Sequence, residues 1–266
     1  MTAPVLVDID RRGVATVALN RPSVNNAYDD ALIAALASGL ARLAATPGIR
    51  LVVLRGNGKH FQAGADLAYL RRLTAAPADE NLEFSRATVA VIAALASFPA
   101  PTLALVHGGC FGGGVGMVAA CDMAVASDDA IFSLTEVRWG ITPAPVVPVL
   151  VAAIGTRALG RYGLTAERFD AAEALRLGLL HAVCPAGGLD EAAAPIIEGV
   201  LLAAPEAVAV TKRLIRETAG LATAPEFRET LAVEAATRRH SAEAKEGLAS
   251  FAEKRKPRWY PVPSNG

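Results

Sequence analysis

Apolar and polar residues alternate from Val5 to Asp10 and again from Val14 to Asn20, around Arg11-Arg12-Gly13. A period of two on both sides of a short polar turn predicts a β-hairpin. The period then lengthens. Leu32, Leu36, Leu40 and Leu43 recur every three or four residues behind Asp29 and Asp30, and the pattern stops at Pro47-Gly48. That predicts a helix capped by one of the two aspartates. Leu51 to Arg55 is a short apolar run before the turn signal Gly56-Asn57-Gly58, and predicts a buried strand. Asp79 opens a second amphipathic stretch, with Val89, Ile92 and Leu95 on one face. Strands are predicted over Thr102 to Val106, Asp122 to Ala126 and Ala130 to Leu134.

Beyond that the pattern changes. Pro143, Pro145 and Pro148 mark an irregular segment, and from Val149 on almost everything reads as alanine-rich helix. Asp170-x-x-Glu173 has the spacing of a capping box, with Asp in place of Ser or Thr. Helices are predicted over Leu189 to Ala203, Pro205 to Thr218, Pro225 to Arg238 and Ser241 to Lys254. The expected fold class is α/β. A core over residues 1–200 is followed by a helical C-terminal piece over 201–266, within one folding unit.

Composition narrows the function. The 266 residues are 53% hydrophobic, enough for a sizeable core. Lysine plus arginine and aspartate plus glutamate both number 26, so no net charge steers the chain toward nucleic acid or an anionic membrane. The basic run Lys254-Arg255-Lys256-Pro257-Arg258 is short and reads as a solvated tail. Three cysteines without a C-x-x-C, and four scattered histidines, give no disulfide framework and no metal-ligand spacing. No secretory signal pattern opens the chain, and no unbroken apolar run has the length of a membrane span. The expectation is a cytoplasmic protein without a metal.

The unusual stretch is Cys110-Phe111-Gly112-Gly113-Gly114-Val115-Gly116. Gly114-x-Gly116-x-x-Ala119, with Glu136 about 20 residues on, fits a dinucleotide fingerprint. However, His107 to Gly113 stand between the strand and the fingerprint's first glycine, against the usual βαβ layout. A second reading is close packing of a helix on a sheet, which does not explain three glycines in succession. The third is a backbone anion site. Glycines at a helix start leave N–H groups unpaired and uncovered, which is half of an oxyanion hole. Such a site needs a second donor and an acid or base. Phe61-Gln62-Ala63-Gly64-Ala65-Asp66-Leu67 reads as another tight turn into a helix, with Asp66 also a natural N-cap. Glu136 sits at the end of a strand, where a plain surface glutamate is the competing reading.

In order along the chain, these segments resemble the enoyl-CoA hydratase/isomerase (crotonase) family. The resemblance is carried by Leu19-Asn20-Arg21-Pro22, Asn26-Ala27, Lys59 to Leu67, Val106-His107-Gly108, Gly112-Gly113-Gly114, Cys121-Asp122, Glu136-x-x-x-Gly140-x-x-Pro143, Gly178-Leu179-Leu180 and Glu253-Lys254-Arg255-Lys256-Pro257. It implies a ClpP/crotonase-like spiral of β-β-α units, with a helical C-terminal region that builds a homotrimer or a dimer of trimers. The substrate would be an acyl-CoA thioester. No separate cofactor is implied, since coenzyme A arrives as part of the substrate. The thioester oxygen would lie between the N–H groups of Ala65 and Gly113. Ser23, Val24, Asn25 and Ala63 would follow the adenine and pantetheine. Lys59 and, across subunits, Lys254 would meet the nucleotide phosphates. Gly64, Asp66, Leu67, Gly112 and Trp139 complete the implied binding set. Ala68 stands where the family often has a phosphate-binding lysine.

The departure is Gly116, where hydratases of the family usually carry the first of two glutamates; Glu136 matches the second. The resemblance therefore implies hydration of a 2-enoyl-CoA through an oxyanion hole and one glutamate, with Δ3-Δ2-enoyl-CoA isomerisation as the alternative. A more distant alternative is a non-catalytic acyl-CoA- or RNA-binding member. The glycine stretch, Glu136-Val137-Arg138-Trp139-Gly140 and the Tyr162 to Phe169 segment are similar to the methylglutaconyl-CoA and isohexenylglutaconyl-CoA hydratases, of leucine and acyclic terpene breakdown. In that case Gly116 would leave room for a branched acyl chain. Arg138 would pair with its second carboxylate, unless it is an ordinary surface arginine.

Overall fold

The computed structural model describes residues 3–218 and 242–261. Its main sheet has six strands: β1 (Val5–Ile9), β2 (Val14–Leu19), β3 (Leu51–Gly56), β4 (Thr102–Val106), β6 (Met123–Ser127) and β9 (Ala182–Cys184), side by side in that order. The β1–β2 pair is the antiparallel hairpin, and every later pair is parallel. A second sheet holds β5 (Gly109–Phe111), β7 (Ile131–Ser133) and β8 (Phe169–Asp170). Two successive units alternate between the sheets and then turn helical. They are β4, β5 and α4 (Gly113–Ala120), then β6, β7 and α5 (Val147–Thr165). This is the β-β-α spiral.

Both faces of the parallel strands are buried, which is why they read as continuous apolar runs. Val14, Leu51, Val53, Leu103, Leu105 and Val125 pack under α7 (Leu189–Leu202). The intervening residues, among them Val17, Val52, Leu54, Ala104 and Val106, face the other core. That core receives α1 (Asp30–Ala45) and α3 (Ala78–Ala96). Asp29 is the cap of α1, its carboxylate accepting from Leu32 N–H at 3.0 Å. Leu32, Leu36, Leu40 and Leu43 are all buried, and each such side chain contributes about 1.5–3 kcal/mol.

Several expectations shift. On α3 the buried face is Thr88, Val91, Ile92 and Leu95, while Val89 is 49% exposed. The region expected to be almost entirely helical contains β8 and β9. Asp170 caps α6 (Ala171–Leu177) by accepting from Glu173 N–H at 2.8 Å. The Glu173 carboxylate instead takes Tyr162 and Arg176, so the capping box is half formed. The segment Ala144–Thr165 has the length and mean hydropathy (1.2) of a membrane span. Gly155 (φ +71°, ψ 164°) breaks it, and α5 packs on α4. Beyond α7 lie α8 (Pro205–Thr218) and α9 (Ala242–Ala252). The helix predicted over Pro225 to Arg238 lies outside the described residues. Arg50 clamps this end of the chain, donating to the Ala203 carbonyl at 2.8 Å and the Trp259 carbonyl at 2.9 Å.

Candidate active site

Each glycine of the run after β5 has a different reason. Gly112 has φ +53° and ψ −126°, and a Cβ there would lie 3.0 Å from Glu136 Oε1. A Cβ on Gly113 would lie 2.7 Å from the Tyr28 hydroxyl, and one on Gly114 would lie 2.4 Å from Gln62 Oε1. Gly112 N–H donates to the Ser133 carbonyl at 2.8 Å, which ties the run to the strand leading to Glu136. Gly113 is the first residue of α4, so its own N–H has no acceptor within the helix. Among the described residues, no hydrogen bond uses it.

The second turn is built the same way. Gln62, wholly buried, accepts from Gly64 N–H at 2.7 Å and donates back to the Gly64 carbonyl at 3.0 Å. Tyr28 N–H donates to the Gly64 carbonyl at 2.9 Å, and Asp66 N–H donates to the Tyr28 carbonyl at 2.8 Å. Ala65 N–H lies between these engaged groups and, among the described residues, donates to nothing. A Cβ on Gly64 would sit 3.2 Å from the Phe111 carbonyl oxygen, so the two turns are in contact. Asn26, wholly buried, holds this corner together by donating to the carbonyls of Asn57, His60 and Phe61.

Glu136 opens a short 3-10 turn, Glu136–Trp139, just after β7. Its Oε2 is buried without a hydrogen-bond partner among the described residues. Burial pushes its carboxyl above the usual carboxylate range. A buried carboxylate oxygen left without a partner and raised in pKa marks a candidate base. Glu136, Ala65 and Gly113 all line one cavity of about 710 Å³. Its far wall comes from α3, α2 (Leu67–Leu73) and the loop from Thr142 to Val146. Among the described residues of that lining, Glu136 and Tyr28 alone carry titratable side chains.

The structure brings together Ala63, Gly64, Ala65, Leu67, Gly112, Gly113, Glu136 and Trp139 in this lining. Ala63 N–H donates to the Asn25 carbonyl at 3.0 Å, so the Ser23–Val24–Asn25 loop adjoins it. Asp66 acts as the N-cap of α2 and pairs with Arg21 at 3.3 Å, so its carboxylate serves the fold. Lys59 is exposed near the same turn. Lys254 is not brought to the site within one chain. The tail beyond it docks on Arg50 and α7, at the end where β3 begins, whereas the site lies past the end where β3 finishes. Arg138 is exposed and off the lining.

Gly116 also corrects an expectation. A Cβ there would lie 2.1 Å from Val146 Cγ1, and Val146 is buried. The space is filled by valine and is not left for an acyl chain. Gly116→Ala is therefore expected to cost about 1–3 kcal/mol by overpacking. Combined with Val146→Ala, it should cost less than the sum of the two single changes. Thermal denaturation of the three variants measures that coupling, and strict additivity would refute the contact.

Two unpaired N–H groups on touching turns, a largely buried carboxylate beside them and an open cavity are the arrangement an oxyanion site requires. Residues 10–261 match the family described as Enoyl-CoA hydratase/isomerase. The chain belongs to that family. The crystal structure of an enoyl-CoA hydratase from Shewanella pealeana superposes with a TM-score of 0.91, at 35% identity and 96% coverage of both chains. A hydroxycinnamoyl-CoA hydratase-lyase of Pseudomonas fluorescens is 34% identical, over 71% of this chain and 70% of that protein. A peroxisomal Delta(3,5)-Delta(2,4)-dienoyl-CoA isomerase of Arabidopsis thaliana is 33% identical, over 74% of this chain and 75% of that protein. The protein is an enzyme of the hydratase/isomerase kind, and an acyl-CoA substrate is consistent with that family.

Proposed function

We propose that the protein adds water across the double bond of a 2-enoyl-CoA. The carrying observation is the Glu136 carboxylate, with its buried Oε2 unpartnered, facing the peptide that bears the Gly113 N–H. The thioester oxygen binds between the N–H groups of Ala65 and Gly113, which stabilise it as it becomes an enolate oxygen. Glu136 takes a proton from water, whose oxygen bonds to the β-carbon while the double-bond electrons move toward the thioester oxygen. Glu136 then returns that proton to the α-carbon, so one carboxylate serves as base and then acid. The first family glutamate is absent, with Gly116 in its position, and Val146 fills the space beside it. That single carboxylate also supports the isomerase reading, in which Glu136 carries a proton between two carbons.

The lining favours an uncharged acyl chain over a glutaconyl one. Among the described residues it contains no arginine or lysine, and Arg138 stands outside it. A buried carboxylate without a cation costs several kcal/mol. The test compares crotonyl-CoA, 3-methylcrotonyl-CoA and 3-methylglutaconyl-CoA, by loss of enoyl-thioester absorbance and by product mass. The expected result is a gain of one water, with kcat/KM for the uncharged esters at least about tenfold higher. Preference for the glutaconyl ester would overturn the uncharged-chain reading. Migration of a Δ3 double bond without hydration of any ester would overturn the hydratase reading.

A further inference from the structure

Tyr28 carries no motif and was not singled out by the sequence, yet it touches both donor turns. Its main-chain hydrogen bonds go to Gly64 and Asp66, on either side of Ala65. Its ring packs against Phe84, with centroids 6.2 Å apart, and its hydroxyl reaches the space beside Gly113. Consecutive Cα atoms lie about 3.8 Å apart. Over one end of the Gly112–Gly113 peptide stands the Glu136 carboxylate, and over the other stands the Tyr28 hydroxyl. The N–H of that peptide is the Gly113 oxyanion donor.

We propose that Tyr28 is a catalytic residue whose hydroxyl donates a third hydrogen bond to the substrate thioester oxygen, alongside Ala65 and Gly113 N–H. This rests on the reading that those two N–H groups bind that oxygen, and holds for hydration and isomerisation alike. Three observations support it. The Tyr28 hydroxyl has no hydrogen-bond partner among the described residues, although the residue is only 8% exposed and lines the cavity. A hydroxyl that opens onto the cavity with no protein partner is free to donate to a ligand there. Burial first, and the Glu136 charge second, raise its pKa, so it stays protonated and able to donate. Finally, Gly116 removes the other acidic side chain of the family pattern, and among the described residues no further titratable group in the lining replaces it. The hydroxyl transfers no proton. It donates one hydrogen bond that strengthens as negative charge develops on the oxygen.

The test is Tyr28→Phe, which keeps the ring over Gly113 and against Phe84 and removes only the hydroxyl. Two readouts are taken on wild type and variant. One is the steady-state rate on the best 2-enoyl-CoA. The other is the infrared carbonyl stretch of bound hexanoyl-CoA carrying a 13C-labelled thioester carbon, which does not react. The expected result is a kcat about 10- to 100-fold lower with KM changed by less than about threefold. The bound carbonyl band, displaced to lower frequency by wild type, should move part of the way back in the variant. If the wild-type band is displaced and Tyr28→Phe leaves it there, whatever the rate does, Tyr28 is not a donor to this oxygen and the proposal is overturned alone. If wild type itself leaves the band at its free position, the oxyanion reading of Ala65 and Gly113 fails first, and this proposal with it.

Discussion

Glu136→Gln is expected to lower kcat by about two to four decades, the range that positioned acid–base groups contribute, while raising the melting temperature at neutral pH. The two effects have one cause. Burial raises the Glu136 carboxyl above its ordinary value of 4.5. The unfolded chain has no such burial, so between the ordinary and the raised value the folded state holds more protons. Stability contributed by the neutral carboxyl is therefore present below the unfolded value and is lost as pH rises through the folded one. Once pH is above that raised value, the enzyme carries a buried charge that works against its own fold. Glutamine keeps the shape without the charge, so the variant should be the more stable protein above that window and equal below it. Activity runs the other way. The base must be deprotonated, so the wild-type rate should climb with pH through an acid limb lying above the usual carboxylate range. The residual rate of the variant should lack that limb. Rates and melting curves across the acid range measure all of this. Wild-type turnover in Glu136→Gln would remove Glu136 from the mechanism. Lower stability at neutral pH would mean that its unpartnered oxygen does have a structural task.

What the sequence could show depended on how local the signal was. The hairpin, α1 and the buried strands follow from periodicity within ten or fifteen residues, and they stand where the pattern put them. On α3 the same reasoning selected Val89, which lies between the true buried residues Thr88 and Val91. The helix has an apolar side facing the core and another facing the cavity, and a cavity wall is hydrophobic too. Strands of two or three residues, such as β5, β8 and β9, are too short to show a period. At the site, the two glycine-bearing turns were legible because glycine runs have few uses, and the family resemblance selected Ala65, Gly113 and Glu136, which line one cavity. Tyr28, Gln62 and Asn26 were not legible as site builders. Their roles come from hydrogen bonds and contacts across tens of residues, and no spacing encodes those. Gly116 was misread for the same reason. A missing side chain looked like open space until Val146 was seen to occupy it.

The Gly112→Ala variant tests the backbone itself. The expected loss is about 100- to 1000-fold in kcat, comparable to removing one oxyanion donor, with about 1–3 kcal/mol lost from stability. Gly112 is held at φ +53° and ψ −126°, a combination that side chains disfavour strongly. Its added Cβ would also press on Glu136 Oε1 at 3.0 Å. The chain can relieve the strain only by rotating about Gly112, and that rotation swings the next peptide. The next peptide carries the Gly113 N–H. One methyl group, which adds no charge and removes no donor, therefore turns the donor away from the oxygen and displaces the base. The two consequences can be separated. If the peptide rotates, the bound carbonyl band of labelled hexanoyl-CoA moves toward its free position as well as the rate falling. If only Glu136 is displaced, the band stays where wild type puts it while the rate falls. An alanine variant with wild-type rate and stability would show that Gly112 is not held in this conformation, and the Gly113 N–H would then lose its claim to be fixed in place for the oxyanion.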